Sequence, residues 1–96
     1  MNNIIKILKN KGFEEIHTNK YYINISDIDI YCNIDYSVYE FITFIACKKI
    51  ENTIVNSRYK TLIERFLVAD DFMQNIMIDK ILNEIIYSIH EQIKKV

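Results

Sequence analysis

Apolar residues recur in two rhythms along this chain, and each rhythm predicts a different kind of element. Near the start, Ile4, Ile5, Ile7 and Leu8 follow a helical period behind Asn2 or Asn3 as cap, and Gly12 stands where a helix ends in left-handed geometry. After it the period shortens to two. Residues 13–18 predict a short strand and Asn19-Lys20 a turn, after which Tyr21, Ile23 and Ile25 alternate with neighbours on the other face. At Ser26-Asp27 the alternation slips by one and continues as Ile28, Ile30, Cys32, Ile34 and Tyr36. A one-residue slip exchanges the two faces, so 21–36 is either one strand with a β-bulge or two strands joined by a tight turn. In both cases Asp27, Asp29, Tyr31, Asn33 and Asp35 fall on one polar stripe.

Beyond this stripe the pattern turns helical again. Ser37-Val38-Tyr39-Glu40 has the form of a capping box, and Val38, Phe41, Ile42, Ile45 and Ala46 follow it at helical spacing. Asn56-Ser57 can cap a second helix over 57–68, with Tyr59, Leu62, Ile63, Phe66 and Leu67 on one face. Asp70-Asp71 caps a third, running to about Lys95, whose stripe of Ile78, Leu82, Ile85, Ile86, Ile89, Ile93 and Val96 leaves Phe72, Met73, Ile76 and Met77 on nearly the opposite side. That second apolar set implies a break near Asp79 or a second packing surface. Packing against helix 57–68 is the favoured reading, and a partner or homodimer surface the alternative. The expected fold is α+β: an N-terminal helix, a two- or three-stranded antiparallel sheet, then three helices packed on one face, in a single domain over 1–96.

Composition tempers the use of propensity. The chain holds twenty-one Ile against four Leu, with ten Asn and ten Lys, the accent of an AT-rich coding sequence in a low-GC bacterium, its phage or its plasmid. Isoleucine is therefore discounted as a strand signal. One Gly and no Pro leave no glycine-rich phosphate loop, and no Walker, Gly-x-Ser-x-Gly, His-Glu-x-x-His or calcium-loop motif occurs. The opening lacks a secretory pattern and the longest near-apolar run, 41–47, is far short of the ~20 residues a spanning helix needs, so a soluble cytoplasmic protein is expected. Cys32 and Cys47 lack Cys-x-x-Cys spacing and read as buried thiols, and His17 and His90 as surface histidines; no metal or cofactor is expected.

Net charge is −1, but its distribution is uneven. Residues 21–47 carry Asp27, Asp29, Asp35 and Glu40 with no Lys or Arg, whereas 48–68 carries Lys48, Lys49, Arg58, Lys60 and Arg65 against two acids. A solvated acidic face explains the first segment most simply. The second resembles a short nucleic-acid-binding stretch, though two arginines and a negative total are poor equipment for gripping phosphate, so direct nucleic-acid binding is not expected. A catalytic role lacks a positioned constellation of residues. The third class is a binding module whose strand carboxylates imitate phosphates and meet a protein with a basic surface, with Tyr31, Tyr36 and Tyr39 as contact area. On this reading Asp27, Asp29, Tyr31 and Asp35 carry binding, with Phe72, Met73, Ile76 and Met77 as an apolar partner or dimer surface.

The opening Met1-Asn2 helix ending in Lys9-Asn10-Lys11, the size, and acidic residues beyond the first strand together resemble small phage-encoded anti-CRISPR inhibitors. The resemblance covers about the first third of the chain. It implies direct binding to a Cas effector, or another host defence protein, that blocks nucleic-acid binding or cleavage without catalysis. The long, mixed-charge C-terminal half departs from a pure DNA mimic. Toxin-neutralising immunity proteins and antitoxins fit the same description, and a nucleic-acid-binding regulator using 48–68 is a further alternative.

Overall fold

A computed structural model describes residues 2–37 and 39–95. In chain order the elements are α1 (Asn2–Asn10), β1 (Glu14–His17), β2 (Lys20–Ile25), β3 (Ile28–Asp35), β4 (Phe41–Ile50), β5 (Thr53–Leu62), α2 (Glu64–Leu67) and α3 (Asp71–Ile93). The five strands form one antiparallel sheet in the order β1-β2-β3-β4-β5, so every neighbour in sequence is a neighbour in space. The α+β class holds. The strand count is five instead of two or three, and the segments expected to be the first two C-terminal helices are mostly strand.

The first of these corrections has a clear cause. Strand β4 pairs with β3 from Phe41↔Asp35 to Cys47↔Asp29 and with β5 along its whole length, which makes it a central strand. Its Ile42, Phe44 and Ala46 are buried on one face while Phe41 and Ile45 are half-buried on the other. Apolar side chains on both faces of a strand reproduce the i, i+3, i+4 spacing of a helix, so period alone misleads there. The expected capping box starts no helix: the Ser37 N–H donates to Asp35 Oδ1 at 2.9 Å and closes the end of β3, while Val38 lies outside the described residues. The segment 57–68 is likewise strand through Leu62, and only the single turn Glu64–Leu67 is helical, held by buried Ile63 and Phe66.

Hairpin turns without glycine explain the rest of the miscount. Ser26 and Asp27 both have positive φ (53° and 64°) and join Ile25↔Ile28, so the phase slip is a tight two-residue turn between β2 and β3 of the kind that matches strand twist. Glu51, at φ 55°, opens the two-residue turn between Ile50 and Thr53. Gly12 does end α1 as expected, at φ 104°, with the Gly12 N–H bonded to Lys9 O and the Phe13 N–H to Leu8 O. This pair of bonds satisfies two helix-end carbonyls and folds Phe13 back into the core with Leu8. Asn3 does not cap α1; its side chain donates to Asp71 Oδ1 at 2.7 Å.

One face of the sheet packs against the helices. Ile30, Cys32, Ile42 and Phe44 from the sheet, Ile4 and Leu8 from α1, and Ile78, Ile85 and Ile89 from α3 share a single core. Helix α3 runs unbroken through Asp79, capped by Asp70, which accepts from the Met73 N–H at 2.8 Å. The Ile78-to-Ile93 stripe faces the sheet as read; Val96 lies outside the described residues. Lys11 of the α1 end meets Asp79 and draws the two helices together. Buried Gln74 donates from Nε2 to Phe66 O (2.7 Å) and Ala69 O (3.0 Å), which ties the α2 turn to α3. No helix among the described residues is long and apolar enough to cross a membrane.

Candidate protein-binding face

Because α1 and α3 both lie on the core side, the opposite face of the sheet is bare. Its composition follows from strand alternation: Glu14 from β1; Lys20, Tyr22 and Asn24 from β2; Asp29, Tyr31, Asn33 and Asp35 from β3; Phe41, Thr43, Ile45, Cys47 and Lys49 from β4; Ile54, Asn56, Arg58, Lys60 and Leu62 from β5. Register sorts these into rows across the strands. One row reads Glu14, Tyr22, Tyr31, Ile45, Arg58; the next reads Lys20, Asn33, Thr43, Lys60; the end row reads Asp35, Phe41, Leu62. Tyr31 and Ile45 stand at the centre, flanked by the acids Asp29 and Asp35 on β3 and the bases Arg58 and Lys60 on β5, with Lys20 on β2, Lys49 at the far end of β4 and Glu14 on the β1 edge.

The β3 acids are held by their neighbours. Asp29 Oδ1 accepts from the Tyr22 hydroxyl at 2.5 Å and from Asn24 Nδ2 at 3.1 Å, and these two bonds, the tyrosine's first, hold its carboxyl below the usual carboxylate range. Asp35 is lowered too, first by the Ser37 N–H and then by the Ser37 side chain, with the Lys60 charge a smaller contributor. Both are therefore carboxylates at neutral pH. The rings of Tyr22 and Tyr31 lie 5.2 Å apart at 46°, and Lys60 Nζ stands 4.3 Å from the centre of the Phe41 ring. Among the described residues, Lys11 with Asp79 and Lys94 with Glu91 make salt bridges; the acids of β3 and the bases of β5 do not.

Of the residues proposed from sequence, Asp29, Tyr31 and Asp35 share this face, and Tyr31 is 39% exposed. Asp27 does not join them, because it occupies the β2–β3 turn with left-handed backbone. The face is also not a purely anionic row, since Arg58 and Lys60 stand two strands away. The place of these bases, with Phe41 and Ile45, on this face was missed because the segment behind the 37–40 capping box and residues 57–68 read as helices. Their signal was present as period-two alternation over Ile54, Asn56, Arg58, Lys60 and Leu62 against Val55, Ser57, Tyr59 and Thr61.

The apolar set on α3 divides. Met77 packs against the core, whereas Phe72 (72% exposed), Met73 and Ile76 are exposed, as are Leu67 and Val68. The expected packing of this set on a helix over 57–68 is overturned, as that helix is strand β5. This patch lies on the helix side of the molecule, away from the bare sheet face, so one flat partner cannot cover both.

The cleft between β5 and α3 is lined by Tyr59, Thr61, Arg65, Met77, Lys80 and Glu84, which brings charged groups to its mouth but no hydroxyl or thiol nucleophile beside a histidine. Among the described residues no group of three His, Cys, Asp or Glu is placed to hold a metal. Cys32 is buried and its thiol is pushed up to about 12 by burial. Cys47 is half-buried on the bare face and not on a helix, and burial followed by the Asp29 charge raises its pKa. His17 and His90 are exposed. No protein-family model matches the chain, and no curated protein or solved structure is significantly similar to it.

Proposed function

We propose that this chain is a non-catalytic binding module that occupies a protein target through the bare face of its sheet. The observation that carries this reading is the anatomy of the face: a central row of Tyr22, Tyr31 and Ile45 with carboxylates and cations around it. Specific interfaces have this arrangement of an aromatic centre and a polar surround. Asp29 and Asp35 would meet cations of the target, and Tyr31 would supply rigid contact area at low entropic cost. The form the resemblance gives to this reading is a phage or mobile-element inhibitor that binds a Cas effector in the bacterial cytoplasm and blocks its access to nucleic acid.

The test is a titration of the purified chain into DNA-cleavage assays of Cas effectors from low-GC bacteria. Inhibition saturating near one chain per effector supports the reading, provided that Asp29→Lys with Asp35→Lys removes it while the circular-dichroism melt stays cooperative. Inhibition that survives this double variant and Ile45→Lys would move the contact off the sheet face and sink the proposal.

A further inference from the structure

We propose that the bare sheet face also pairs with a second copy of itself, about a two-fold axis parallel to β4. The inference rests on the reading of this face as the binding surface and names a partner for it: the cationic surface that the β3 acids meet is the β5 strand of another molecule.

The acids of β3 and the bases of β5 select this arrangement among the symmetric ways of stacking two such faces, with Lys49 of β4 meeting its own copy at one end of the contact. A two-fold axis along β3 sets Asp29 against Asp29 and Asp35 against Asp35 of the other copy, and an axis across the strands also stacks β3 on β3. An axis along β4 instead lays β3 over the β5 of the second molecule and β4 over β4. Since rotation about that axis keeps each row at its own height, Tyr31 faces Arg58 and Ile45 faces Ile45 across the contact. Asp29 and Arg58 then stand one row apart, as do Asp35 and Lys60, a step of ~6.8 Å along the strand that a long basic side chain can span. Each ion pair is made twice. Within one molecule these acids and bases make no salt bridge with each other, so the contact adds ion pairs to the hydrogen bonds and ring contact they already have.

Size agrees with a weak association. Three strand widths at ~4.8 Å by ten residues at ~3.3 Å give about 470 Å² per copy, or about 950 Å² together. That lies at the small end of specific interfaces, where transient complexes are found. A single-stranded nucleic acid is the competing occupant for an aromatic sheet face, but it requires a cationic groove, and Asp29 and Asp35 lie on this one.

The experiment is sedimentation equilibrium of the full chain at low salt from micromolar to millimolar concentration. Expected is a monomer–dimer equilibrium that weakens as salt is added. Asp29→Lys with Asp35→Lys makes β3 and β5 both cationic, and Arg58→Glu with Lys60→Glu makes them both anionic; each alone should be monomeric, and a mixture of the two should form a heterodimer. Ile45→Lys, on the axis, should abolish association by setting two cations against each other, with the β3 acids and β5 bases left in place.

Monomer throughout the wild-type series overturns the proposal, as does a dimer that persists in Ile45→Lys. Retardation of a single-stranded oligonucleotide that is lost in the Arg58→Glu, Lys60→Glu variant overturns it in favour of nucleic acid. The inhibitory reading stands or falls separately: a monomeric wild type whose effector inhibition still requires Asp29 and Asp35 removes only the dimer. A dimer whose acid-reversed variant still inhibits removes only the inhibitory reading of the face.

Discussion

The Tyr22 hydroxyl donates to the Asp29 carboxylate at 2.5 Å across the β2–β3 hairpin, on the face that carries no helix. The bond favours ionised Asp29 and neutral Tyr22, lowering the pKa of the first and raising that of the second. A depressed carboxyl pKa contributes stability above the ordinary carboxyl value, and that contribution is lost as pH falls through the lowered value. A raised phenol pKa contributes below the ordinary phenol value and is lost as pH rises through the raised one. Neutral pH lies inside both windows. Tyr22→Phe should therefore raise the Asp29 pKa toward its ordinary value, read by carbon NMR titration of the carboxyl group. An unchanged titration would mean that the bond does not form in solution.

Gln74 sets up a second expectation. Its side-chain nitrogen serves two carbonyls at the α2–α3 junction, while its Oε1 is buried without a protein partner. Gln74→Met would remove the donor and leave Phe66 O and Ala69 O short of a bond, at a cost of about 1–3 kcal/mol. Gln74→Glu should cost more, because a carboxylate in that place faces two carbonyl oxygens in a buried setting and must ionise against them or take up a proton. Urea denaturation of both variants checks the order. Equal stability of the Gln74→Glu variant and wild type would show that the junction opens readily to water.

How far the fold was legible depended on where ordinary punctuation stood in the sequence. Gly12 marked the end of α1, and Asp70 marked the start of α3, because each residue type suits its backbone position. Alternation placed the faces of β2 and β3 and located the shift at Ser26-Asp27, but left bulge and turn as alternatives and put Asp27 on the polar stripe instead of in the turn. The hairpin at Glu51-Asn52 carried no glycine, so β4 and β5 went unrecognised, and β4 is apolar on both faces, which removes the contrast that alternation needs. The candidate face was consequently half legible. Asp29, Tyr31 and Asp35 were found from β3 alone, and the cations that change its character came from β5.

Gly12 makes the third prediction. It sits at φ 104°, and a Cβ there would stand 3.2 Å from Ile23 Cδ1. Gly12→Ala combines left-handed backbone cost with a tight contact against β2, and should destabilise by about 1–2 kcal/mol. The loss should appear in the urea midpoint with an unchanged slope, since the unfolded chain exposes nearly the same surface.

The pairing of Lys11 with Asp79 should contribute little by comparison. The aspartate side chain is 58% exposed, so solvent screens the attraction, and Asp79→Asn is expected to cost at most ~1 kcal/mol. The difference between variant and wild type should shrink in added salt. A salt-independent loss would instead mean that the substitution disturbs helix α3 itself.

The turn that concealed β4 and β5 yields the last prediction. Glu51 has positive φ at the first position of a two-residue hairpin turn, a place where glycine is favoured because a Cβ crowds the backbone in that geometry. Glu51→Gly relieves that crowding, worth about 1–2 kcal/mol, but gives the unfolded chain more freedom, which takes back roughly 0.5–1 kcal/mol. The net expectation is a gain of up to ~1 kcal/mol, or about 4–8 °C in melting temperature for a domain of this size. Because the turn lies beyond the ends of the Asp29-to-Leu62 rows, the variant should bind any partner of the sheet face as wild type does. A lower melting temperature would show that the Glu51 side chain makes a contribution exceeding its backbone strain.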